Sequence, residues 1–254
     1  MNYKILSALL LILSLFSCTS KKMINSDQAY ETKRDTLTLF DKSRNRKIPV
    51  ALYTPKTEKG IPGQKVVIFS HGYGANKGGD YFLYSYLTEA LASKGYFTVS
   101  IQHELPTDEL IPMEGKPQIV RMPFWERGAE NILFVLNELK KTRPDLDYKH
   151  LTLIGHSNGG DMTALFASKH PELVYKIITM DNRRMYLPRT SHPKIYTLRS
   201  NDYPADKGVL PSPEEQVKYH ITVQSTDINH GHMDNKGSEK EKTTLKNTIL
   251  KYTE

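Results

Sequence analysis

The sequence predicts a single α/β domain built on a mainly parallel sheet, on three observations. From Asp35 onward, short β-rich runs alternate with amphipathic segments, which is the pattern of strand–helix–strand crossovers. Val66 to Phe69 is a continuous apolar run, as a strand covered on both faces is, and Leu151 to Ile154 reads as another buried strand. The chain has 254 residues, 38% hydrophobic and 25% charged, enough to bury a core without a covalent staple. Its one cysteine, Cys18, excludes an internal disulfide, CxxC zinc sites and iron–sulfur clusters.

The chain opens on one lysine, Lys4, then an apolar run from Ile5 to Phe16 interrupted only by Ser7 and Ser14. That is the layout of a signal peptide over 1–17, and the run is shorter than the ~20 apolar residues of a membrane-spanning helix. Leu15-Phe16-Ser17-Cys18 resembles a bacterial lipobox, in which the cysteine becomes lipid-modified. The expectation is therefore export to the bacterial cell envelope, with Cys18 as the lipidation site. A polar tether fills the rest of 18–34, and a folded domain without internal repeats spans 35–254.

Within the domain, Thr36 to Phe40 and Ile48 to Tyr53 alternate around a turn-like Asp41-Lys-Ser-Arg-Asn and suit an antiparallel hairpin, with Pro49 placing the second strand at an edge or bulge. Val66 to Phe69 follows as a buried strand. Phe82, Leu83, Tyr86, Leu87, Ala90 and Leu91 then recur at helical spacing up to Gly95. Tyr96 to Ile101 reads as a strand and Gln102 to Phe124 as a long loop with four prolines. Ala129, Ile132, Leu133, Leu136 and Leu139 mark an amphipathic helix ending at Pro144. Leu151 to Ile154 is a strand, Asn158 to His170 a helix, and Lys176 to Met180 and Lys194 to Leu198 are strands. A short helix at Pro213 to Tyr219, a strand at Ile221 to Gln224 and a helix at Lys240 to Tyr252 close the chain.

Gly155-His156-Ser157-Asn158-Gly159 fits GxSxG between a strand and a helix, the context in which that pattern builds a nucleophile elbow. Ser157 is the candidate nucleophile. The glycines let strand and helix backbones approach closely beside a strained turn. Acyl transfer also needs donors aimed at the developing oxyanion. Ser70-His71-Gly72-Tyr73-Gly74 leaves a buried strand through glycines, so the N–H of Tyr73 is one candidate. The N–H of Asn158, at the start of the next helix, is the other. A Walker A loop is excluded, because Gly74-Ala-Asn-Lys77-Gly78 has the wrong order.

The HGYG segment, the GHSNG segment and a histidine near the C-terminus together resemble the α/β-hydrolase superfamily. Arg44 to Pro55 resembles the entry of its dienelactone-hydrolase-like and platelet-activating-factor-acetylhydrolase-like branches. The resemblance implies the α/β-hydrolase fold, with a twisted sheet of about eight strands flanked by helices, and the chain order serine, acid, histidine. It puts the acid after the strand Lys194 to Leu198, where Asp202 is the first choice and Asp206 the alternative; Asp181, after the preceding strand, is a third. It puts the base in Ser225 to Asp234, as His230 followed three places later by the apolar Met233, or as His232 within His-Met-Asp. Asp181 to Pro193 is too short for a helical lid, which leaves an open cleft near Arg183-Arg184.

The implied activity is cleavage of a small or polymer-borne carboxylic ester through an acyl-enzyme, without a cofactor. Two other readings remain. His230-Gly-His232-Met-Asp234-Asn235 also resembles the HxHxDH metal motif of the metallo-β-lactamase fold, although Asn235 replaces the last histidine and little chain follows. A lipid-anchored binding protein that keeps the fold without catalysis is the other. The other seven histidines stand at motif positions (His71, His156) or element ends (His103, His150, His170, His192, His220), none at metal-ligand spacing. The formal charge of +7 is spread over separate segments, Lys21-Lys22, Arg183-Arg184 and the lysine-rich closing helix, which reads as solvated faces and not as a nucleic-acid surface.

Overall fold

The computed structural model describes residues 29–254, so the leader and Cys18 lie outside the described residues. Eight strands appear among them: β1 (Thr32–Asp41), β2 (Arg46–Pro55), β3 (Lys65–Ser70), β4 (Phe97–Ile101), β5 (Asp147–His156), β6 (Lys176–Met180), β7 (Lys194–Arg199) and β8 (Thr222–Ser225). They form one sheet in the order β1-β2-β4-β3-β5-β6-β7-β8. β2 pairs antiparallel with β1 and β4, and all later pairings are parallel. The helices are α1 (Ser85–Ser93), α2 (Pro117–Val120), α3 (Met122–Thr142), α4 (Asn158–Lys169), α5 (Pro213–Tyr219) and α6 (Glu239–Thr253).

Side chains alternate along each central strand, so one strand feeds two cores. Val66 and Ile68 of β3 pack with Ile132 and Leu136 of α3 and Phe166 of α4. Val67 and Phe69 face the other way, onto Leu87 and Leu91 of α1 and Leu245 and Ile249 of α6. The chain therefore leaves β3 toward one face of the sheet and leaves its neighbour β5 toward the other. That divergence opens a crevice at the carboxyl ends of β3 and β5, where ligands bind in open α/β sheets.

Three sequence expectations change. Thr32 to Arg34 belong to β1, paired with Pro55, Thr54 and Tyr53, and not to the tether. β2 is flanked on both sides: Pro49 sits just before its ladder with β4, which begins at Val50 opposite Ile101, so the missing N–H faces no strand partner. The loop after β4 is shorter than expected, because Pro117 and Pro123 stand in the first turns of α2 and α3, where a helix needs no N–H. Residues 181–193 contain no helix, as an open site requires.

Candidate active site

Ser157 occupies the turn between β5 and α4 with φ +52° and ψ −119°. A non-glycine residue in that region costs on the order of 1–3 kcal/mol, which the surroundings must hold in place. Its N–H donates to Met180 O (2.9 Å) and its carbonyl accepts from Asp161 N–H (3.0 Å). The flanking glycines are sterically required: a Cβ on Gly159 would lie 2.3 Å from Ser70 O, and one on Gly155 2.3 Å from Gly159 O. Serine at the start of a helix ordinarily caps it. Here the hydroxyl makes no cap; its Oγ lies 3.0 Å from His230 Nε2.

His230 opens a 3₁₀ turn beyond β8, and its Nδ1 lies 2.5 Å from Asp181 Oδ2. Asp181 is fully buried directly after β6. It accepts from Ser200 N–H (3.1 Å) and the Ser200 hydroxyl (2.8 Å), with Arg199 Nη2 2.7 Å from Oδ1. Burial alone would raise this carboxyl, but the His230 hydrogen bond, the Arg199 charge and the Ser200 donors outweigh it and hold it below the ordinary range. The serine, imidazole and carboxylate thus form one continuous line.

The acid in that line is not Asp202. Its carboxylate is exposed and accepts the backbone N–H of His230 (2.7 Å), so it fixes the loop and does not touch the ring. Asp206 is further removed, accepting from Gln118 Nε2 (3.0 Å). β6 is the direct neighbour of β5, so the first residue past its end is the one that reaches the elbow. His232 turns away to Glu241 (3.0 Å) at the surface, and Asp234 interacts with Lys236. The His230/His232/Asp234 set therefore does not converge, and no group of three His, Cys, Asp or Glu among the described residues is placed to hold a metal ion.

On the other side of Ser157, a Cβ on Gly72 would lie 3.5 Å from Ser157 Cβ, which sets the Gly72-Tyr73 peptide beside that serine. The Asn158 N–H lies in the first turn of α4, where the helix supplies no acceptor. The Asn158 side chain is clamped: Trp125 Nε1–H donates to its Oδ1 (2.9 Å) and its Nδ2–H to Glu104 Oε1 (2.8 Å). His71 donates from Nδ1 to Gly72 O (2.7 Å), since its Nε2 accepts His103 N–H (3.0 Å), which fixes the tautomer and the loop. His156 is buried under His230, ring centroids 4.7 Å apart; burial and the neighbouring His230 lower it to about 3, so it is neutral.

Arg199, Ser200, Glu104 and Trp125 complete this shell, and sequence reasoning missed all four. Glu104 and Trp125 lie in or next to the stretch read as an irregular loop, and Arg199-Ser200 only as flanks of the expected acid. An apolar groove of about 490 Å³ between β1, β2, β4 and α3 contains none of these residues.

A family model described as the alpha/beta hydrolase fold matches residues 65–218. No curated protein matches the chain. Among solved structures, one of two fungal esterases from Rhizomucor miehei superposes with TM-score 0.62 at 11% identity, over 89% of this chain and 83% of that one. A bacterial heroin esterase gives 0.59 at 13%, over 91% and 86%. A brefeldin A esterase, a bacterial homologue of human hormone-sensitive lipase, gives 0.60 at 10%, over 91% and 79%. At such identities these likenesses speak to the fold, while the family model covers more than half of the chain: this protein belongs to the α/β-hydrolase family.

Proposed function

We propose that the protein is a serine esterase using Ser157, His230 and Asp181. The observation that carries the reading is the unbroken contact from Ser157 Oγ to His230 to the buried Asp181. In the first step Ser157 Oγ attacks the ester carbonyl carbon while His230 Nε2 takes the hydroxyl proton. The tetrahedral intermediate's oxygen faces the N–H groups of Tyr73 and Asn158. Collapse breaks the bond to the alcohol, which leaves with the proton from His230, and water then releases the acyl group by the reverse sequence. Asp181 holds the imidazole with Nε2 free to accept and stabilises its charged form. Neighbours described as esterases support the ester reading. The Arg44 to Pro55 segment favours the dienelactone-hydrolase-like or acetylhydrolase-like branch.

The test is labelling of residues 27–254 with a fluorophosphonate, with the adduct located by peptide mass spectrometry. Labelling at Ser157 that is lost in His230→Ala and retained in His232→Ala is expected. A folded protein that does not label overturns the reading and leaves the non-catalytic binding protein. We further propose that Cys18 anchors the mature chain to a membrane of the bacterial envelope, for which the leader's layout is the support. Cys18→Ser should release the protein from the membrane fraction; retention there would refute the anchor.

A further inference from the structure

Tyr84 stands immediately before α1 with its side chain buried, its ring against Phe69 of β3 (centroids 4.7 Å apart). Its hydroxyl makes two hydrogen bonds that cross the site. It accepts Gly72 N–H (3.2 Å), and its own O–H donates to His156 Nδ1 (2.6 Å). The directions follow from the groups themselves. An amide N–H can only donate, burial pushes the Tyr84 phenol above its ordinary value and so keeps its proton, and the neutral His156 has one nitrogen free to accept. His156 therefore carries its own proton on Nε2.

Both bonds act where acyl transfer depends on position. Gly72 O belongs to the peptide that also carries Tyr73 N–H, the donor proposed for the oxyanion, and Gly72 N–H belongs to the peptide before it. His71 holds the later peptide (2.7 Å) and Tyr84 holds the earlier one. Gly72 has no side chain to restrict the two dihedrals between them, so these bonds set the direction of Tyr73 N–H. A Cβ on Gly72 would lie 2.9 Å from His156 Nδ1 and 3.1 Å from Tyr84 Oη, so glycine is what lets the main chain come down onto this pair. On the far side of the hydroxyl, His156 lies under the His230 ring with centroids 4.7 Å apart.

The chain around Tyr84 holds the loop of the base as well. Asn235 N–H donates to Leu83 O (2.7 Å), Asn235 Nδ2–H to Phe82 O (3.1 Å) and Tyr86 O–H to Met233 O (2.9 Å). Residues 82–86 are thus bound both to the exit of β3 and to the turn of His230. Resting on the esterase reading, we infer that Tyr84 is a positioning residue: its hydroxyl, between Gly72 N–H and His156, holds Tyr73 N–H and His230 in place relative to each other across Ser157. Such alignment adds little to binding of the substrate and acts when the oxyanion and the imidazolium form.

The test measures p-nitrophenyl acetate turnover and inhibition by phenylboronic acid, whose adduct on a serine is tetrahedral and anionic, in the wild type, Tyr84→Phe and Tyr148→Phe. Tyr148→Phe removes a tyrosine hydroxyl that donates to a backbone oxygen, Arg143 O (2.9 Å), at the opposite end of β5 from Ser157. In Tyr84→Phe, kcat is expected to fall about ten- to a hundredfold with KM within about twofold, and the phenylboronate inhibition constant to rise in step with the loss of kcat. Tyr148→Phe should leave all three near wild type. Folded Tyr84→Phe with kcat within about threefold of wild type, or with KM raised as far as kcat falls, overturns the inference. Histidine nitrogen NMR of the wild type, with His156 assigned through His156→Asn, checks the bond without a folded Tyr84 variant: a proton on Nε2 supports the inference and one on Nδ1 overturns it. If Ser157 labels with a fluorophosphonate and Tyr84→Phe is unimpaired, this inference fails and the esterase reading stands. A folded wild type that does not label sinks both.

Discussion

Exchanging either candidate aspartate for asparagine separates the two positions by orders of magnitude. Asp181 presents Oδ2 to His230 Nδ1 at 2.5 Å and is fully buried. In Asp181→Asn the oxygen is drawn to the Ser200 donors and the amide N–H₂ faces the imidazole, which favours the tautomer with its proton on Nε2. That nitrogen then donates to Ser157 and cannot take its proton. The expected loss is about 10⁴-fold in kcat, or ~5 kcal/mol of transition-state stabilisation. Asp202→Asn keeps an oxygen for the His230 backbone N–H at an exposed position, so its cost is one weakened hydrogen bond, ~1 kcal/mol and under about tenfold. The assay is p-nitrophenyl acetate turnover together with the fluorophosphonate labelling rate. Because Asp181→Asn leaves Arg199 without its counter-charge, at a cost of about 3–5 kcal/mol, turnover is measured well below a separately determined melting temperature. Equal losses in the two variants, or more than a tenth of wild-type kcat in folded Asp181→Asn, would refute the assignment of the acid.

Gly159→Ala places a methyl against the backbone oxygens of Ser70 and His71, which cannot move aside. A loss of ~1–3 kcal/mol is expected in thermal unfolding, while Gly231→Ala, which meets nothing within 4 Å, should melt like the wild type. Asp161 is raised by burial to about 6, above its unfolded value, so the folded state holds its proton more tightly and that stability is lost as pH rises through 6. Asp161→Asn, whose oxygen still accepts from Arg184 and Met185, should therefore gain on the order of 3 kcal/mol over the wild type between pH 4 and 7 in urea unfolding; a pH-independent difference would contradict this. Trp125→Phe strands the buried Asn158 Oδ1 and should cost ~1–2 kcal/mol with a severalfold fall in kcat; an unchanged kcat would mean that Asn158 needs no clamp.

Sequence alone determined the order of elements, because hydrophobic periodicity is a local signal: Lys176 to Met180 and Pro213 to Tyr219 fall where the apolar pattern puts them. It also singled out Ser157, since GxSxG between strand and helix records a steric need that the glycine contacts bear out. His230 was legible as one of two, its partner Met233 being fully buried as the pattern expects. The carboxylate was not legible. Asp181, Asp202 and Asp206 all follow strand ends, and nothing along the chain says that β6 lies against β5 or that Arg199 and Ser200 converge on Asp181. Likewise Glu104, Trp125 and Asn158 lie in three separate segments of the chain, although their side chains hydrogen-bond one another. Only tertiary packing gathers them, because charge and hydrogen-bond complementarity depend on separation in space, which strand order sets and sequence spacing does not.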